Sequence, residues 1–181
     1  ALFALLLPLA GQAQLVVTNT QTPAWLVQNI LLGQGLSVSN ITFNGAPATV
    51  VTEQAGEVDA TNTVLGMGQG LILATGDVNN ALGPNNSGSS SLGGGNMGQT
   101  DPDLEILANP QSVNDAAVLE FDFVPTGDSL KFDFVFASDE YLEFVNSVND
   151  IFGFFLSGPG ISGPFSNNSA NIALIPNTTD P

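Results

Sequence analysis

The 181-residue chain contains no cysteine and no histidine, and its only basic side chain is Lys131. Against that one cation stand 17 Asp and Glu residues, for a formal net charge of −16. Each absence excludes a class of chemistry. Without His or Cys there is no Ser-His-Asp or Cys-His nucleophile system and no ordinary zinc site. With a single Lys there is no Walker loop, no phosphate clamp and no electrostatic footprint for nucleic acid. Anionic membrane surfaces repel such a chain as well. Paired-carboxylate and metal-assisted mechanisms are the common catalytic chemistries that survive.

What is present argues for a folded domain. Only 10% of residues are charged and 43% are hydrophobic, which is not the composition of a disordered acidic chain. The length suits one domain with a real core. Sixteen uncompensated charges work against compactness,, and a divalent cation is the simplest compensation.

The start, "ALFALLLPLAGQAQ", is an apolar run followed by Pro8 and by small residues, Gly11 and Ala13, at −3 and −1 of a cleavage position. It predicts a secretory signal peptide over residues 1–13; at about ten residues the run is too short to span a bilayer. The missing initiating Met and basic leader, and an end soon after a strand-like segment, predict a longer native chain. Residues 14–181 are then expected to form a single domain.

Along that domain, "LVVTNT" (15–20) reads as a strand. Thr22 as N-cap, Pro23 at the first helical position and Gly33 past the end frame a helix, with Val27, Ile30 and Leu31 on one face. It is the only convincing helix. "LSVSNITF" alternates but breaks phase near Asn40, and Asn44-Gly45 turns the chain into "ATVVT" as a hairpin. "GLILATGD" (70–77) reads as a buried strand. Residues 83–99, "GPNNSGSSSLGGGNMGQ", lack periodicity and predict a long flexible loop.

The stretch "VLEFDFVPTGDSLKFDFVF" (118–136) predicts a hairpin turning at 125–128. In that register Asp122 faces Lys131 and Phe121 faces Phe132, with aromatics on one face and charges on the other. "IFGFFLS" reads as a central strand and "NIALIP" as a final one. Many short strands between Gly, Pro and Asn turns predict a mainly β fold, an antiparallel β-sandwich of jelly-roll type with one short N-terminal helix.

The candidate site is "SDEYLEFVNSVND". Asp139, Glu140 and Glu143 follow a strand end, and Asn149 and Asp150 precede the next strand. A short connection between two buried strands would gather them. Oxygen-only ligands of this kind suit Ca²⁺, which takes six to eight. A second acidic group comprises Asp77, Asp101, Asp103 and Asp115 at element ends; alternatively, Asp101 or Asp103 simply caps a short helix "DLEIL". None of these matches an EF-hand loop. The aromatics around the site, Phe136, Tyr141, Phe144, Phe152, Phe154 and Phe155, are expected to be core. A glycosidase pairing of Glu140 with Glu143 or Asp150 stays open as an enzyme reading, although Trp-lined subsites are lacking.

The segments "QLVVTNTQTPAWLVQNILLGQG", "GLILATGDVNNALGPN", "DPDLEILA" and above all "FASDEYLEFVNSVNDIFGFFLSGPG" resemble the choice-of-anchor L domain family, secreted bacterial surface proteins typical of Bacteroidetes-like organisms. The resemblance covers nearly the whole chain after residue 14. It departs mildly at Asp139, where the family pattern leads one to expect Glu. The resemblance implies export through a signal peptide and attachment to the cell surface through a C-terminal region. It brings no biochemical activity. The expectation is a non-catalytic, calcium-stabilised extracellular module for adhesion or matrix interaction. Its partner would be an extracellular glycan or protein, with no nucleic acid and no membrane insertion after signal cleavage. Carbohydrate binding and, behind it, a carboxylate-based glycoside hydrolase are the alternatives.

Overall fold

The computed structural model describes residues 14–32, 36–84, 98–139, 141–142, 144, 147 and 150–175. The expected signal peptide (1–13) and most of the expected loop (85–97) lie outside the described residues.

The fold is mainly β and its ladders are antiparallel, as the strand and turn pattern predicts. β1 (Val16–Thr18), β4 (Ala55–Asp59) and β5 (Gln69–Leu73) form one sheet in the order β1-β4-β5. β2 (Leu36–Phe43), β3 (Ala46–Pro47) and β6 (Leu119–Pro125) form a second, in the order β3-β2-β6. A smaller pair joins β7 (Phe155–Leu156) to β8 (Ala170–Asn171).

Between β1 and β2 lies the expected helix. Thr22 Oγ1 accepts a hydrogen bond from the Trp25 N–H at 3.2 Å, and Pro23 opens α1 (Pro23–Leu26). The helix widens into a π-turn over Val27–Leu31. It touches β2 and β4, one strand from each three-stranded sheet, and its π-turn touches β5. Leu26 and Val27 are fully buried there; side chains of that kind contribute roughly 1.5–3 kcal/mol each. Much of the remaining core is alanine: Ala48, Ala55, Ala60, Ala116 and Ala173.

Two local sequence signals are realised closely. The phase break near Asn40 is a bulge: the β2–β6 register shifts between Ser39 and Thr42, and Asn40 takes φ 52°. Asn44 and Gly45 both have positive φ, 49° and 73°, and close a two-residue turn that pairs Phe43 with Ala46. That is the geometry for which Asn-Gly is selected. The return strand stops at Pro47, which has no N–H to donate.

Other expectations need correction. β6 pairs with β2, from Leu36↔Pro125 to Phe43↔Leu119, and residues 129–137 belong to no strand. The proposed 118–136 hairpin register is therefore not observed. Asp122 accepts from Asn40 Nδ2 at 2.6 Å in place of the expected Lys131 pairing. The β2 bulge creates this contact by turning the amide of Asn40 toward β6. The helix at 22–33 is also not alone, because α2 runs over Pro102–Ala108. β4, "AGEVD", was not foreseen, although it is the central strand of its sheet. A Cβ at its Gly56 would meet the Thr18 carbonyl oxygen at 2.9 Å, so the strand needs a residue that sequence patterning counts against it,.

Candidate functional site

Of the five residues expected to hold calcium, Glu140, Glu143 and Asn149 lie outside the described residues. Asp139 and Asp150, the two ends of the connection, are described. Asp139 is half-buried and its Oδ2 accepts a hydrogen bond from Asn80 Nδ2 at 2.8 Å. Asn80 belongs to a 3₁₀ turn over Val78–Leu82, which Asp77 caps: Asp77 Oδ1 accepts from the Asn79 N–H at 2.8 Å and from Asn79 Nδ2 at 2.7 Å. Val78 anchors this turn by complete burial.

The structure thus carries the Asp77 turn to Asp139 through Asn80, a residue that sequence reasoning passed over. The signal was "GDVNN", an Asx-rich turn directly after a strand. Among the described residues one amide donor reaches Asp139, and a carboxylate has about four lone-pair sites.

The other second-group residues serve local structure. Asp101 caps α2, its Oδ1 accepting from the Asp103 and Leu104 N–H groups at 3.0 and 2.9 Å. This is the capping alternative raised by "DLEIL". Asp103 is buried and ties α2 to a downstream 3₁₀ turn at Ser166–Asn168, its Oδ1 accepting from Ser166 N at 2.8 Å and Ser166 Oγ at 3.0 Å. Asp115 has φ 57°, and its Oδ1 accepts from the Gly98 N–H at 3.0 Å. No group of three or more metal-ligating acidic side chains occurs among the described residues.

One polar cleft of about 260 Å³ lies beside the Asn44-Gly45 turn, lined by Gln99, Thr100, Asp101, Val118 and Glu120 as well. Its two carboxylates are already engaged. Asp101 caps the helix, and Glu120 Oε2 accepts from Thr42 Oγ1 at 3.3 Å.

The aromatic residues depart most from expectation. Phe132, Phe134 and Phe136 run alongside Phe154 and Phe152 in a ladder of rings. Phe132 stacks on Phe154 with centroids 4.3 Å apart, Phe134 meets Phe152 at 5.3 Å, and Phe136 meets Phe152 at 6.3 Å. On the other side of the same segment, Phe155 packs on Phe165 at 4.7 Å. The rings of "IFGFFLS" do lie on two sides, but the expected central strand is not observed: only Phe155–Leu156 is strand, and β7 pairs with β8 in a two-stranded sheet. The burial reading does not hold: Phe136 is 50% exposed, Tyr141 68% and Phe144 40%, so these three are not core. Val135 and Leu142, their neighbours along the chain, are exposed as well.

The sequence model of the choice-of-anchor L domain family matches residues 15–181. No curated protein and no solved structure matches the chain. Among the described residues no helix is long and apolar enough to cross a membrane.

Proposed function

The chain belongs to the choice-of-anchor L domain family, a family of extracellular surface modules of bacteria, and from that premise we propose a non-catalytic module for adhesion or matrix interaction, stabilised by calcium. The observation that carries the reading is the exposed aromatic surface at Phe136, Tyr141 and Phe144. Large apolar side chains left in water over adjoining turns favour a contact surface. Calcium would be held by Asp139, Glu140, Glu143 and Asp150 with Asn149 helping, and would pin the 137–150 connection. Support comes from the excess of carboxylates over cations and from the fixed position of Asp139 against the Asp77 turn.

Two measurements test it. A thermal melt in EDTA and across a calcium titration should show a saturable rise in Tm that vanishes in Glu140→Gln/Asp150→Asn. A flat titration sinks the metal. Solid-phase binding to a glycan array and to immobilised proteins should then show retention that Tyr141→Ser and Phe136→Ser abolish. Retention on glycans alone would make the domain a carbohydrate-binding module. No retention anywhere would remove the adhesion reading.

A further inference from the structure

We infer that the ring ladder formed by Phe132, Phe134, Phe136, Phe152 and Phe154 is a docking strip for a cationic, extended polypeptide segment of a partner protein. The inference rests on the adhesion reading and names the partner's chemistry. Three observations carry it. The rings form a continuous line with centroid spacings of 4.3–6.3 Å, and Phe134 and Phe136 leave 44% and 50% of their surface in water. From residue 132 to 136 an extended chain covers roughly 13 Å. That is a narrow strip, shaped for a strand-like segment more than for a globular face.

Charge selects the occupant. Lys131 is the only cation in a chain of net charge −16. Asp133 is exposed within the 132–136 segment, Asp128 is exposed four residues before it, and Asp139 is half-buried three residues past Phe136. A second copy would bring the same sign of charge to the interface and be repelled. An arginine-bearing segment gains twice, from the surrounding field and from stacking its guanidinium groups on exposed Phe faces. Alternate apolar side chains of such a segment would cover the remaining ring edges.

The test uses the whole chain and two synthetic probes of equal charge, an alternating Arg-Leu peptide and an alternating Arg-Ser peptide, in 0.15 M salt. The Arg-Leu peptide should bind at least tenfold more tightly. Phe134→Ser/Phe136→Ser should erase that margin while lowering the Arg-Ser affinity only by the smaller contribution of guanidinium stacking. In unmodified protein, the NMR signals of residues 130–136 and 152–154 should shift on titration with Arg-Leu, which guards against a variant that fails to fold. Equal affinities would reduce the effect to unspecific attraction by a polyanion and overturn the proposal. Shifts confined elsewhere, or self-association of the chain through these rings in sedimentation, would overturn it too. If glycans or matrix proteins still bind through Phe136 while both peptides bind alike, only the partner's chemistry falls and the adhesion reading stands.

Discussion

Gln54 offers the sharpest test of how the two sheets are held. It is 2% exposed and sits just before β4. Its Nε2 donates to the Asp115 carbonyl at 3.1 Å and to the Thr75 carbonyl at 3.4 Å, and its Oε1 accepts from Asn44 Nδ2 at 3.1 Å. Asn44 in turn locks the β2–β3 turn to the approach of β6, its Oδ1 and N–H bonding the Val118 N–H and carbonyl, each at 2.8 Å. One amide therefore connects the β1-β4-β5 sheet to the turn of the other. Replacing it with leucine keeps the size and leaves those partners unpaired. A partner stranded in a buried setting costs about 1–3 kcal/mol. Asn44 and Asp115 are half-buried and Thr75 is exposed, so the lower end applies to the first two and little to the third. Gln54→Leu should then cost about 2 kcal/mol net, or a fall in Tm of roughly 4–8 °C for a domain of this size. Urea unfolding followed by circular dichroism reads it directly. Gln54→Glu adds a sign check. Its carboxylate would face two carbonyls, which raises its pKa in the folded state. The variant should approach wild-type stability in acid, where the protonated acid can still donate. It should lose stability as pH rises through the raised value. A leucine variant within about 0.5 kcal/mol of wild type, well inside the unpaired-partner range, or a pH-independent glutamate deficit would refute the reasoning.

Three further outcomes follow from single contacts. Asp101→Ala should lose about 1 kcal/mol from the α2 cap while Asp101→Asn stays near wild type; a loss that calcium reverses would instead make Asp101 a ligand. A Cβ at Gly163 would run into the Ser169 backbone carbonyl, so Gly163→Ala should cost about 1–3 kcal/mol, and a neutral variant in chemical denaturation would contradict the close approach of those two segments. The side-chain and backbone hydrogen bonds of Thr61 hold the Asp59 carboxyl below its ordinary 3.8, so its contribution to stability is present above that value and lost as pH falls through the lowered one. Asp59→Asn should flatten that part of the acid limb, and an unchanged acid titration of stability would remove the Thr61 contacts as its cause.

Local chemistry was readable from the sequence wherever a residue's own backbone preference decided the outcome. Thr22-Pro23 starts a helix because a hydroxyl can cap it and proline needs no donor there. Asn44-Gly45 turns because both residues tolerate positive φ, and Asn40 marks the bulge for the same reason. The alternation of "IFGFFLS" separated Phe152 and Phe154, in the ring ladder, from Phe155, against Phe165, although only Phe155–Leu156 is strand. Composition spoke against His- or Cys-based nucleophile systems without any structure, since the sequence holds neither residue.

Pairing between distant segments was decided only by the tertiary structure. Periodicity gives the faces of 118–136 but not its neighbour, and β6 pairs with β2 across a register shift between Ser39 and Thr42. β4 was hidden because its glycine answers to a carbonyl on β1, a constraint carried by no local pattern. The Asn80–Asp139 contact joins residues 59 positions apart, so sequence could name the acids but not the turn that one of them leans on. Burial followed the same rule. Hydrophobicity says that Phe136 and Tyr141 would gain from cover, whereas only the packing of the whole chain determines whether anything is there to cover them.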